Sequence, residues 1–212
     1  MSGPAIDGYK YESAAAAHTD GYLLPTVRAE LAGMVWPAAG PRRVFDLGCG
    51  TGASAAALTA DGYQLTGVDP SADGIRMARQ AYPALALHPA SADDDLAAAY
   101  GQFTAVISLE VVEHVYHPRR FARCIADLLL PGGTALISTP YHGYLKNLAL
   151  AVTGRMDAHF TALWDNGHIK FWSPRTLSDL LTEAGLEVVR CHRVGRVPPF
   201  AKSMVIVARR PA

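Results

Sequence analysis

The chain places a carboxylate just ahead of a glycine turn. Asp46-Leu47-Gly48-Cys49-Gly50-Thr51-Gly52 follows the apolar pair Val44-Phe45 and leads into an alanine-rich segment. Glycines at such a turn let backbone and ligand approach closely. Gly48, Gly50 and Ala53 also satisfy the G-x-G-x-x-A dinucleotide pattern, with Asp69 downstream at about the spacing of a ribose-binding acid. Charge separates the two ligands: Asp46 would repel a pyrophosphate, whereas it suits the amino and sulfonium cations of S-adenosylmethionine. On these residues alone, a nicotinamide dinucleotide, or a turn that merely packs strand on helix, stays open.

Another reactive run is Ser108-Leu109-Glu110-Val111-Val112-Glu113-His114-Val115, at the end of an apolar stretch. It places Glu110, Glu113 and His114 near a strand end, the edge that faces ligands in open α/β sheets. Taken singly, either glutamate also fits as a helix-start acid. Farther on, Pro140 to Trp172 gathers Tyr141, His142, Tyr144, His159, Trp164, His168, Phe171 and Trp172. That density suits a planar aromatic or hydroxylated acceptor.

The run Asp46 to Gly52 resembles motif I of the class I S-adenosylmethionine-dependent methyltransferases, and Gly67-Val68-Asp69-Pro70-Ser71 resembles their second-strand motif. Glu110-Val111-Val112-Glu113-His114, a helix about Phe121 to Leu130 and then Pro131-Gly132-Gly133 are similar to the O-methyltransferases of ubiquinone biosynthesis, over roughly Arg42 to Gly185. The resemblance implies a donor site of Asp46, Gly48, Cys49, Gly50, Gly52, Asp69, Pro70 and Leu109. Asp69 would take both ribose hydroxyls, and Ser91, Ala92 and Asp93 would hold the adenine edge. The plainer reading of Asp93-Asp94-Asp95 is a solvated acidic helix start.

Methyl transfer to oxygen requires an aligned acceptor and removal of its proton, and a histidine near its ordinary pKa of about 6.5 suits the second task. His114 is the candidate base, with Glu113 beside it. His168, in Asn166-Gly167-His168-Ile169-Lys170-Phe171-Trp172, resembles a histidine of many relatives and is a candidate for orienting the acceptor. The alternative is that Glu110, Glu113 and His114 bind a divalent cation, Mg2+, that acidifies a catechol hydroxyl, as in some members of the family. The Pro140 to Trp172 insertion has a sequence of its own, so acceptor identity does not carry over. N- or C-methylation, a non-catalytic donor-binding partner subunit and a nicotinamide-dependent oxidoreductase are the competing functions.

These residues need a scaffold. Short apolar runs alternate with helical segments from Arg42 on, the pattern of βαβ units. Expected strands are Val44 to Leu47, Gln64 to Val68, Ala84 to His88, Thr104 to Leu109, Ala135 to Ser138, Glu187 to Val194 and Ser203 to Ala208. The fold class is α/β: a doubly wound, mostly parallel seven-stranded Rossmann-like methyltransferase sheet with helices on both faces. Right-handed crossovers put the first and fourth strand ends at the switch point. A helix beginning near Pro174 is capped by Ser173 and ended by Gly185.

One domain, 1–212, is expected, with an N-terminal helical lid (1–41) and the acceptor-site insertion (140–172). The lid carries Tyr9, Tyr11 and Tyr22, an alanine run at Ala14 to Ala17, and a helix from Leu23 to Val35 stopped by Pro37. Lysine plus arginine and aspartate plus glutamate both total 19 in 212 residues. Such balance, without a basic strip, argues against nucleic acid and points to a small-molecule acceptor. Cys49, Cys124 and Cys191 lack metal or disulfide spacing and read as reduced core residues. No signal-peptide pattern or spanning apolar run is visible, so a cytoplasmic enzyme is expected, with oligomeric state open. Leu145 to Val152, with Lys146 and Arg155, reads as a lid helix; weak membrane association through 145–155 is the alternative.

Overall fold

The computed structural model describes residue 11 and residues 17–212. Tyr9 and most of the alanine run at Ala14 to Ala17 lie outside the described residues; Ala17 itself is not helical. In chain order the elements are α1 (Asp20–Ala32), β1 (Arg43–Leu47), α2 (Ala53–Ala60), β2 (Gln64–Asp69), α3 (Ala72–Ala81), β3 (Ala86–Pro89), α4 (Leu96–Tyr100) and β4 (Phe103–Leu109). A short 3-10 turn (Val112–His114) leads to α5 (Pro118–Leu128), β5 (Leu129–Pro140), α6 (Tyr144–Val152), α7 (Met156–Phe160), α8 (Pro174–Glu183), β6 (Glu187–Val194) and β7 (Ser203–Arg209).

The strands form one seven-stranded sheet in the order β3-β2-β1-β4-β5-β7-β6. β1 to β5 are mutually parallel, and β7 runs antiparallel to both its neighbours. Strand order reverses between β1 and β4, which makes their carboxyl ends the switch point. Because β7 is reversed, its first residue, Ser203, pairs with Pro140 at the end of β5 and so belongs to the same ligand-facing edge.

Both faces are covered, which explains the near-continuous apolar strands. Along β7, Met204, Ile206 and Ala208 join the core under α5 and α8, while Val205 and Val207 join the core under α1, α2 and α3. β1 divides likewise: Phe45 and Leu47 face one core and Val44 the other.

Three expectations change. α1 covers Asp20–Ala32 and ends at Gly33, so Gly33 rather than Pro37 stops it. β5 is longer than Ala135 to Ser138: Phe103 pairs with Leu129 but Ala105 with Thr134, so Pro131-Gly132-Gly133 bulges out between two paired stretches. Cys49 and Cys124 are buried, but Cys191 is exposed because β6 is an edge strand. The interruption after β5 contains α6 and α7. Ser173 caps α8 in a capping box with Thr176, and Gly185 follows it at φ 82°.

Candidate active site

A cleft of about 1650 Å³ opens at the carboxyl edge of the sheet. The turn after β1 forms its floor. Gly48 has φ 86°, and a Cβ there would fall 2.5 Å from Val111 Cγ2. At Gly50 (φ 53°) a Cβ would lie 2.8 Å from the Tyr11 hydroxyl. Side chains are therefore excluded by conformation and by space together.

Asp69 ends β2 and is buried. Its Oδ2 accepts from Gly50 N–H at 2.9 Å and from the Tyr11 hydroxyl at 3.4 Å, while Oδ1 accepts from Ser71 N–H at 2.8 Å. The expected ribose partner is thus also the tie that fixes the glycine turn. Asp46, at 2 % exposure, is paired in register with Gly67 and Ile107, and its Oδ2 has no hydrogen-bond partner among the described residues. Burial, then Asp69, then Asp20 push its carboxyl up to about 7. A buried acid among acids is costly unless a cation completes the site.

Asp20, at the start of α1, accepts from Ser54 Oγ (3.1 Å) and Ala17 N–H (3.1 Å) and lines the same cleft. Sequence reasoning missed it: an acid before an apolar helical run reads as a helix-start residue, and nothing local places it beside Asp46.

Of the expected donor-site residues, Asp46, Gly48, Cys49, Gly50, Asp69, Pro70 and Leu109 line the cleft. Gly52, Ala92 and Asp93 do not. Gly52 precedes α2 at φ 79°, against Leu87. Ala92 packs on the core, and Asp93 pairs with Arg120 at 3.2 Å. Asp94 accepts from Ser91 N–H and Asp95 caps α4 through Ala98 N–H, so this acidic run serves its own turn and helix start.

At the other end, Glu110 follows β4 at φ 57°. That left-handed turn sends its carboxylate toward β5 and β7, where it accepts from Ser138 Oγ (2.8 Å) and Ser203 Oγ (3.1 Å). Burial raises this carboxyl to about 7, against those hydrogen bonds. Glu113 is 1 % exposed, and neither carboxylate oxygen has a hydrogen-bond partner among the described residues. Burial, then Glu110, pushes it well above the carboxylate range.

His114 sits beside Glu113 in the 3-10 turn. Its Nδ1 lies 3.2 Å from the Asn166 carbonyl and 3.1 Å from the Gly167 carbonyl. A carbonyl only accepts, so Nδ1 carries the proton and Nε2 the lone pair of a neutral ring. Burial lowers the His114 pKa and, with His114 and His159 nearby, brings His168 down to about 4. The His114 and His168 rings stand 4.9 Å apart, and His168 Nε2 is 4.0 Å from Glu113 Oε1.

Ligand atoms of Glu113, His114 and His168 all lie within 4.8 Å of one another. This trio differs from the expected Glu110, Glu113 and His114 grouping, since the turn at Glu110 directs its carboxylate to Ser138 and Ser203. The insertion is bound to the 3-10 turn by Ile169 N–H and Lys170 N–H, which donate to the Glu113 carbonyl, and by the Trp172 indole, which donates to the Val112 carbonyl at 3.2 Å.

Residues 17–190 match the family described as methyltransferase domain. A ubiquinone biosynthesis O-methyltransferase of Caulobacter sp. is 37% identical over 126 residues, 58% of this chain and 48% of that protein. Its counterpart in Thiobacillus denitrificans is 34% identical over 158 residues, 71% of this chain and 66% of that protein. The match thus spans from about half to just under two thirds of these relatives. Among solved structures, magnesium protoporphyrin IX methyltransferase from Synechocystis with bound SAH superposes with a TM-score of 0.60 at 21% identity, over 88% of this chain and 82% of that one, a likeness of fold. On the match over residues 17–190 together with the sheet and its glycine turn, the chain belongs to the class I S-adenosylmethionine-dependent methyltransferases.

Proposed function

We propose that this methyltransferase takes its methyl group from S-adenosylmethionine and moves it to a hydroxyl of a small hydroxylated aromatic or quinol-like acceptor. The carrying observation is His114, a neutral imidazole lining the same cleft as buried Asp46, whose Oδ2 has no hydrogen-bond partner among the described residues. When bound, the donor supplies an electrophilic methyl on a sulfonium. Asp46 balances its positive charge, Gly48 and Gly50 admit its close approach, and Asp69 holds the turn while offering its remaining lone pairs to the ribose. His114 Nε2 takes the acceptor's hydroxyl proton as the oxygen attacks; the methyl–sulfur bond breaks with its electrons left on sulfur. His168 orients the acceptor. Residues 1–41 act as a lid and 140–172 as the acceptor cover of one domain.

Transfer of labelled methyl from S-adenosylmethionine to a panel of catechols, phenols and amines tests the reading. Label on a catechol oxygen supports it; label only on amines overturns it. A second reading has Glu113, His114 and His168 hold a divalent cation, favoured by the buried, unpartnered Glu113 carboxylate. Two imidazoles and one carboxylate suit a first-row ion better than Mg2+, which prefers oxygen ligands, and loss of catechol labelling under a chelator, with rescue by the ion added back, would select this reading.

No helix among the described residues is long and apolar enough to cross a membrane. α6 nevertheless turns Tyr144, Leu145, Leu148 and Val152 outward, at 88%, 59%, 59% and 78% exposure. That face supports peripheral contact through 145–155 with a lipid surface, which liposome flotation tests.

A further inference from the structure

The walls of the cleft differ in charge. Asp20, Asp46, Asp69, Glu110 and Glu113 line its inner part, whereas Lys146, Arg155, Arg196 and Lys202, with a single acid, Asp165, come from the insertion and the β6–β7 connection. Elsewhere on the surface Arg28, Arg76, Arg119, Arg120, Arg175 and Arg190 each meet a carboxylate within 4.0 Å, while Arg42, Arg123, Arg193 and Arg209 stand singly and apart from the cleft. None of the four cleft cations forms an ion pair among the described residues.

Local structure directs these cations inward. α6 presents Lys146, Ala149, Leu150 and Thr153 to the cleft, the i, i+3, i+4, i+7 face of a helix. Lys146 is partly buried, and its ammonium donates to the Tyr141 carbonyl at 2.8 Å, which satisfies one of its three protons without balancing its charge. Burial, then the neighbouring Arg196, lower its pKa against the opposing pull of Glu110, so the two cations stand close enough to repel. Gly195, with φ 84°, leaves room for the Lys202 stem: a Cβ there would lie 2.9 Å from Lys202 Cβ. The Lys202 ammonium comes to rest 5.3 Å from the centre of the Tyr22 ring, another lining residue.

Four cations converging on one cavity, none within ion-pair distance of a carboxylate among the described residues although Glu110 acts on Lys146 from farther off, match an anion that arrives with the ligand. We infer that the acceptor carries an anionic group, a ring carboxylate or a phosphate, received by Lys146 and Arg196 with Lys202 and Arg155 at the rim. The inference rests on the acceptor-site reading above and narrows it to hydroxylated aromatic acids or phosphates. An anion held at the cationic wall leaves the neutral hydroxyl to turn toward His114.

The test uses the full chain saturated with S-adenosylhomocysteine and measures binding of 3,4-dihydroxybenzoate and of its neutral methyl ester by calorimetry. The acid is expected to bind about tenfold or more tighter than the ester, as one charge-assisted hydrogen bond to a partly buried cation would give. In the Lys146→Gln/Arg196→Gln double variant that ratio should fall to about one, with ester binding, melting temperature and S-adenosylhomocysteine affinity unchanged. Equal binding of acid and ester, binding of neither, or a ratio that survives in the variant overturns the inference. Vesicles of phosphatidylglycerol against phosphatidylcholine separate the other source of anions: variant-sensitive capture by phosphatidylglycerol, with no preference for the acid, would assign these cations to a lipid headgroup and overturn the acceptor assignment. Adding labelled S-adenosylmethionine keeps the two proposals apart, because tight binding of the acid without labelling leaves the anion site standing and removes the O-methylation reading.

Discussion

The proposed donor end and the proposed acceptor end of the cleft are held by different kinds of structure. At the donor end, Asp46 and Asp69 stand on the neighbouring central strands β1 and β2, whose register pairs Asp46 with Gly67, and Asp69 binds the adjoining turns through two backbone N–H groups. At the acceptor end, His114 takes its orientation from the carbonyls of Asn166 and Gly167, 52 and 53 residues away on a surface insertion. Donor geometry is inherited from the sheet; acceptor geometry depends on a loop docking against a short turn. Such a division lets one scaffold keep its cosubstrate while its acceptor varies by changes in the insertion. Substitutions at the two ends should therefore separate cleanly, and each prediction below can break that separation.

The largest effect is expected at His114. His114→Ala should lower kcat by about a thousandfold, within the usual contribution of a general base, while calorimetry finds S-adenosylhomocysteine bound as before. A loss of donor affinity with kcat retained would show that the two ends are coupled. Asp69→Ala is the converse case. It removes a buried carboxylate that accepts two backbone N–H bonds, so donor affinity should fall by about a hundredfold or more and the melting temperature should drop with it.

The pH dependence sharpens the comparison further. The Asp46 carboxyl is raised to about 7 when folded and has its ordinary low value unfolded. Between those values the folded chain holds a proton that the unfolded chain has lost, so the unliganded protein should gain stability as pH falls from about 7 toward 4. Binding a cationic donor requires the ionised form. S-adenosylmethionine should therefore release a proton near pH 6 and almost none at pH 8, read from binding enthalpies in buffers of different ionisation heat. Asp46→Asn should abolish that release and raise the melting temperature of the unliganded protein at pH 8.

The difference between the ends also explains what the sequence disclosed. Gly48, Gly50, Asp46 and Asp69 were legible because strand, turn and acid lie in one βαβ unit, where spacing along the chain is spacing in space. Asp20, Ser138 and Ser203 were not. Each is an ordinary polar residue at an element end, and only the sheet order, with β7 reversed beside β5, brings Ser138 and Ser203 to Glu110. Glu110 turns from Glu113 and His114 toward Ser138 and Ser203 for a local reason, the left-handed backbone at Glu110, which no residue type announces in a non-glycine position. Ala92 and Asp93 lie outside the cleft lining, where Ala92 packs on the core and Asp93 pairs with Arg120, while the neighbouring acids serve as caps.

The smallest predicted effect probes the loop docking itself. Trp172 is buried, and its indole N–H reaches the Val112 carbonyl in the turn that carries Glu113 and His114. Trp172→Phe keeps most of the apolar contact and deletes that hydrogen bond, about 1 kcal/mol of anchoring. His114 would remain bound to the Asn166 and Gly167 carbonyls, so the turn should loosen rather than detach. We expect the acceptor KM and kcat to change by a few-fold, with S-adenosylhomocysteine affinity the same as in the parent protein. A donor affinity that moved with them would mean that the insertion reaches β1 through the core beneath the 3-10 turn, where Val112, Trp172 and Phe45 belong to one apolar cluster. The acceptor end would then be as much a part of the sheet as the donor end.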